Sequence, residues 1–89
     1  MYSDPKRVKE FITYFLNTDL DKYTQYHVFE LIVASYNDAI LENLDNEMLK
    51  AAFGEAVNKS NTNPNLDILK NYWRRIYNED EFPVGKLLL

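Results

Sequence analysis

The chain has no cysteine, two glycines, three prolines and one histidine in 89 residues, and each shortage closes off a class of function. Without cysteine there is no disulfide staple, no thiolate nucleophile and no thiolate ligand for a metal. Two glycines leave no Gly-rich loop to cradle a phosphate, and so little Gly and Pro argues against a turn-rich β fold. The lone histidine, His27, has no G-x-S-x-G and no neighbouring serine to complete a nucleophile–base pair. No apolar run approaches the roughly 20 residues of a membrane span, and the opening MYSDPKRVKEF lacks the apolar core of a signal peptide. Acid exceeds base, for a formal net charge of −4. That balance weakens any general affinity for nucleic acid, which rests on cations set against phosphates. The expectation is a cytoplasmic, non-enzymatic protein with no metal, no cofactor and no membrane partner.

One stretch tests the metal exclusion. Asp19-x-Asp21, with Glu30 at the twelfth position, resembles the spacing of an EF-hand loop. The sixth position, which needs Gly for the sharp turn, holds Thr24, and the fifth holds the bulky Tyr23. No calcium site is expected there.

What the chain has is aromatic bulk: seven Tyr, five Phe and one Trp. A domain this short buries only about 60–65% of its unfolded surface, and large rings let a few positions anchor a thin core. The apolar spacing is helical throughout. Asp4 as cap and Pro5 at the first helical position open a helix over about 4–17, with Val8, Phe11, Ile12, Phe15 and Leu16 on one side. Thr18–Asp21 and Thr24 are both start signals for the next helix, placing its beginning near 19 or near 25; we take 25–44. Phe29, Ile32, Val33, Tyr36, Ile40 and Leu44 form its stripe, broadened by Val28, Leu31 and Ala39, and such girth marks a central helix. Asn37, Asp38, Glu42 and Asn43 read as its polar outer side. A third helix over 46–59 carries Met48, Leu49, Ala52, Phe53, Ala56 and Val57, with Gly54 inside it. Asn63–Pro64 repeats the Asp4–Pro5 device and opens a last helix over 64–77, with Leu66, Leu69, Trp73 and Ile76 as its stripe. Residues 78–89 read as an extended tail. The fold class is all-α: a single small antiparallel bundle of about four helices.

Three surfaces are candidates for function. The span 19–47 holds seven acids against Lys22 alone, and Asp38, Glu42, Asp45 and Glu47 would give an acidic face suited to a basic partner protein. The second is KNYWRRIYNED. Arginines among aromatic rings are how many proteins hold single-stranded nucleic acid, so Lys70, Tyr72, Arg74, Arg75 and Tyr77 form an alternative nucleic-acid surface. The structural explanation of the same residues is dipole compensation at a helix C-terminus. The third is the tail. Phe82, Val84, Leu87, Leu88 and Leu89 either strap across the bundle or enter a partner, a homodimer mate included.

Two resemblances rest on the last third of the chain. NPNLDILKNYWRR…FPVGK, with Pro64, Trp73, Arg74, Pro83 and Gly85, resembles the final helix and tail of the small helical immunity proteins that neutralise colicin-type nucleases. That resemblance implies an acidic helical protein blocking a basic toxin, a nuclease or a nucleic-acid-binding complex. AAFGEA stands where the family carries Tyr-Tyr-Pro, so no individual contact residue carries over. LKAAFGEAVNK…LDILKNYW resembles the C-terminal helical domain of DnaD-type replication proteins. That likeness implies DNA binding through Lys70, Arg74 and Arg75. The reading taken forward is a protein-binding module of inhibitor or immunity type, with the replication-accessory module and a homo-oligomeric structural protein as alternatives.

Overall fold

The computed structural model describes residues 3–88. Four α-helices, α1 (Val8–Asn17), α2 (Lys22–Leu41), α3 (Glu47–Ser60) and α4 (Leu66–Arg75), lie between short 3-10 helices at Pro5–Arg7 and Pro83–Leu88. Bonds between distant helix ends fix their directions. The Asp4 N–H donates to Ser35 Oγ at 2.9 Å, joining the start of α1 to the later part of α2. Lys59, near the end of α3, donates to the carbonyl of Phe15 near the end of α1. Asn63 donates to Gln25 Oε1 at 2.9 Å, tying the α3–α4 connection to the start of α2. Successive helices therefore reverse direction, and the architecture is the expected antiparallel all-α bundle.

α2 is central. Phe29, Ile32, Val33, Tyr36 and Ala39 are buried in it, against Val8, Ile12 and Phe15 of α1, Leu49, Phe53 and Ala56 of α3, and Leu66 and Leu69 of α4. Two ring pairs hold the layers together: Phe15–Phe29 at 5.7 Å and Tyr36–Phe53 at 4.4 Å between centroids. Such tilted pairs add about 0.5–1.5 kcal/mol beyond their buried area.

The helix limits differ from the sequence expectation in ways that capping explains. Asp4 does cap, accepting from the Lys6 N–H at 3.2 Å, but the first turn is 3-10 and α1 proper begins at Val8. α2 starts neither at 19 nor at 25. Asp21 is the cap, with its carboxylate accepting from the Thr24 N–H at 2.7 Å. The helix stops at Leu41 instead of 44 because Asn43 takes a left-handed conformation, φ 60°. The Leu44 N–H then reaches the Ala39 carbonyl (2.8 Å) and the Asn43 N–H the Ile40 carbonyl (3.2 Å). This is the Schellman pattern, with asparagine where glycine is commoner. Leu44 is thereby thrown off the core stripe, and Met48, expected inside, stands outside. α3 opens on Asn46, whose side chain accepts from the Leu49 N–H at 2.8 Å. Asn63 caps as expected, but over a turn: its side chain accepts from the Asn65 N–H and its carbonyl from the Leu66 N–H, so α4 begins at Leu66. α4 ends at Arg75, ahead of the expected 77.

The tail is not extended. Asn78 and Phe82 pair through two backbone bonds, and Pro83–Leu88 then winds as a 3-10 helix against α2 and α4. Asn37 explains the return. It was expected on the outer side, yet it is buried, and its amide donates to the Glu81 carbonyl (3.0 Å) while accepting from the Val84 N–H (3.1 Å). Gly85 permits the close approach. A Cβ there would lie 2.9 Å from the Tyr77 Cβ and nearer still to the Trp73 carbonyl oxygen.

Candidate functional site

The acidic residues singled out in the sequence fall at one place, the corner where α2 turns into α3. Asp38 is half-buried on the last turns of α2 and accepts from the Ser3 hydroxyl. Glu42 caps α2 and is exposed; Asp45 lies in the connection; Glu47 opens α3 and is exposed. Asp45 is the one tied to the core, accepting from the Tyr36 hydroxyl at 2.9 Å. Burial, and then the hydrogen bond and charge of Asp45, push the Tyr36 phenol far above its ordinary range. Among these acids stand three large apolar side chains that the sequence reading placed in the core or passed over: Leu41 (43% exposed), Leu44 (39%) and Met48 (68%). The corner thus carries exposed apolar side chains interspersed along the chain with carboxylates. The signal for it was present in Asn43, a residue able to end a helix in the left-handed region and so to put Leu44 outside.

The alternative surface divides. Lys70 is 3% exposed, ion-paired to Asp67 at 3.2 Å and donating to Asn61 Oδ1 at 2.6 Å. Arg74 donates through Nε to the Leu88 carbonyl at 2.5 Å and through Nη1 to Asn71 at 2.8 Å. Both cations are committed within the chain, although the sequence set both on the alternative nucleic-acid surface. Arg75, Tyr72 and Tyr77 are exposed.

The tail residues go inward. Val84 and Leu88 are fully buried, and Leu87 packs on the core from a half-buried position. Phe82 is half-buried and meets Trp73 edge to face at 6.0 Å. The strap reading holds for these four, so the homodimer surface expected of them is spent on the chain's own core; Leu89 lies outside the described residues. The EF-hand spacing is also resolved, since Tyr23–Glu30 is helical and forms no loop.

A second surface was not foreseen. Between the first turns of α2 and α4 lies a cleft of about 480 Å³ lined by Lys22, Tyr23, Tyr26, His27, Asn65 and Ile68. His27 sits edge-on to both tyrosines, at 4.5 Å from Tyr23 and 5.8 Å from Tyr26. Sequence periodicity hid it because Tyr23 and His27 lie ahead of the central stripe, while Ile68 sits beside the stripe of α4.

Compared with known proteins, the chain matches no family model, and no curated protein or solved structure matches it significantly. Among the described residues, no helix is long and apolar enough to cross a membrane.

Proposed function

We propose that this protein is a non-enzymatic binding module, an inhibitor of immunity type, that neutralises a basic partner protein through the α2–α3 corner. The observation that carries this reading is the exposure of Leu41, Leu44 and Met48 within the eleven residues 38–48 that also hold Asp38, Glu42, Asp45 and Glu47. Apolar anchors supply affinity once water is excluded. Surrounding charge of one sign steers a partner of the other sign and rejects like-charged competitors. A purely solvating acidic face has no use for three large apolar side chains in water. The commitment of Lys70 and Arg74 inside the fold favours this corner over the nucleic-acid surface.

The test is capture of partners from a bacterial host on the immobilised protein, followed by titration calorimetry with the purified partner. The variant is Glu42→Lys with Met48→Lys, because Asp45 also serves Tyr36 and its loss would disturb the core. A basic protein bound with 1:1 stoichiometry is expected. The double variant should weaken binding at least tenfold and flatten its salt dependence, with unchanged far-ultraviolet circular dichroism. Equal affinity of variant and wild type would remove the corner from the interface.

A further inference from the structure

The two apolar surfaces described above are complementary in charge, and this suggests an occupant for the cleft. Among the described residues, eight large hydrophobic side chains stand exposed; five fall in just these two places, Tyr23 (76%) and Ile68 (67%) at the cleft and Leu41, Leu44 and Met48 at the corner. The cleft continues along α4 past Ile68 into a second open depression of about 520 Å³ lined by Asn71, Arg74 and Arg75. The combined groove is lined by Lys22 and Arg75, by Arg74 held through its bonds to Leu88 and Asn71, and by no acid. The acids beside Lys22 and Ile68 in sequence are engaged: Asp21 caps α2 and Asp67 pairs with Lys70. The corner has the inverse composition, with four acids and no base from Asp38 to Leu49.

We infer that the groove between α2 and α4 receives the α2–α3 corner of a second copy of this chain, making a head-to-tail contact. In it Leu44 and Met48 would lie on Tyr23 and Ile68, with Glu42 and Glu47 facing Lys22 and Arg75. Neither surface can satisfy itself within one molecule. The cleft lies at the first turns of α2 and the corner at its last, about 28 Å apart at 1.5 Å per residue, in a molecule whose longest extent is 33 Å. The two patches differ, so the contact is heterologous, and each copy that docks leaves one patch open at either end of the assembly. A single corner is a small interface, and interfaces at the low end of the size range are transient. The association is therefore weak, strengthens with concentration and weakens with salt. The inference rests on the corner being a docking surface. It adds that self-association and the basic partner compete for that corner.

Sedimentation equilibrium of the whole chain tests this. The wild type should show a weight-average mass rising above 10.6 kDa as concentration approaches the millimolar range, and rising less in molar salt. A corner variant, Glu42→Lys with Met48→Lys, and a groove variant, Lys22→Glu with Ile68→Ser, should each remain monomeric. All four positions lie at the surface, so both variants are expected to fold; circular dichroism and urea midpoints check this. Each variant keeps one intact surface. Their equimolar mixture should therefore form a 1:1 dimer that grows no further. A wild type that stays monomeric throughout overturns the inference and leaves capture of a basic partner to be judged separately. So does a wild type that associates while the mixture fails to pair, because the contact then lies elsewhere.

Discussion

Replacing Asn37 by Leu should release the C-terminal segment while the four helices persist. Ordering seven residues, 82–88, costs about 1–2 kcal/mol each in backbone entropy, hence about 7–14 kcal/mol. Burial of Phe82, Val84, Leu87 and Leu88 returns about 1.5–3 kcal/mol apiece at most, or about 6–12 kcal/mol. The hydrogen bonds from Asn37 to both ends of the turn, and from Arg74 to the Leu88 carbonyl, add about 0.5–1.5 kcal/mol each. The two sides nearly cancel, so docking is decided by a small surplus. Leucine matches asparagine in size but removes both of its bonds. The Glu81 carbonyl belongs to an exposed residue and can turn to water, whereas the Val84 N–H is enclosed and would be stranded at about 1–3 kcal/mol. That is comparable to the surplus itself. Amide exchange followed by NMR should show Val84, Gly85 and Leu88 losing protection by about tenfold or more, while Ile32 and Phe53 lose much less. Urea denaturation should register about 1–3 kcal/mol of lost stability. Unchanged protection at Val84 together with a loss below about 0.5 kcal/mol would refute the clamp.

The two glycines give opposite expectations. Gly54 is exposed inside α3 with nothing within 4 Å of an added Cβ, so Gly54→Ala should stabilise by about 0.5–1 kcal/mol in urea melts. Gly85→Ala should destabilise by at least about 1–3 kcal/mol, because the obstructing atoms include the Trp73 backbone, which cannot swing aside. Tyr36→Phe should lose about 1 kcal/mol at pH 7 through its bond to Asp45. The raised phenol favours the folded state fully below the unfolded value near 10, and that contribution is lost as pH climbs above it. The gap between wild type and variant should therefore close between pH 10 and 11.5, and a constant gap would contradict the assignment. The Thr24 N–H bond holds the Asp21 carboxyl below its ordinary value of 3.8. Its stabilising effect is present above that value and lost as pH falls through the lower, folded one. Asp21→Ala should therefore reduce helicity at pH 7, and the difference from wild type should shrink toward pH 2.

The four helices were legible because their apolar spacing is strong and two Asx-Pro pairs mark their starts. Phe29, Ile32, Val33 and Tyr36 were placed in the core from spacing alone, and they are there. What the pattern could not convey was the use made of polar residues. Asn37 and Lys70 read as outward-facing because type alone assigns them to water, and Ser35 drew no reading at all, yet each is buried with partners that come from distant segments or a helix end. Those partners lie 31 to 47 residues away for Ser35 and Asn37, beyond the reach of any local signal. The acidic residues of the corner were found by charge counting. Their apolar companions were missed because Leu44 and Met48 fit helical stripes until Asn43 ends the helix between them.

The returning strap also bears on the order of events in folding. It rests on α2 and α4, so it has no surface to dock on until those helices are in place, and its interactions belong to the native state more than to the barrier that precedes it. Substitutions that loosen it, at Asn37 or Gly85, should therefore steepen the rise of unfolding rates and leave refolding rates nearly unmoved. The lifetime of the native protein is then set by the strap over 82–88, and the speed of its formation by the four helices that precede it.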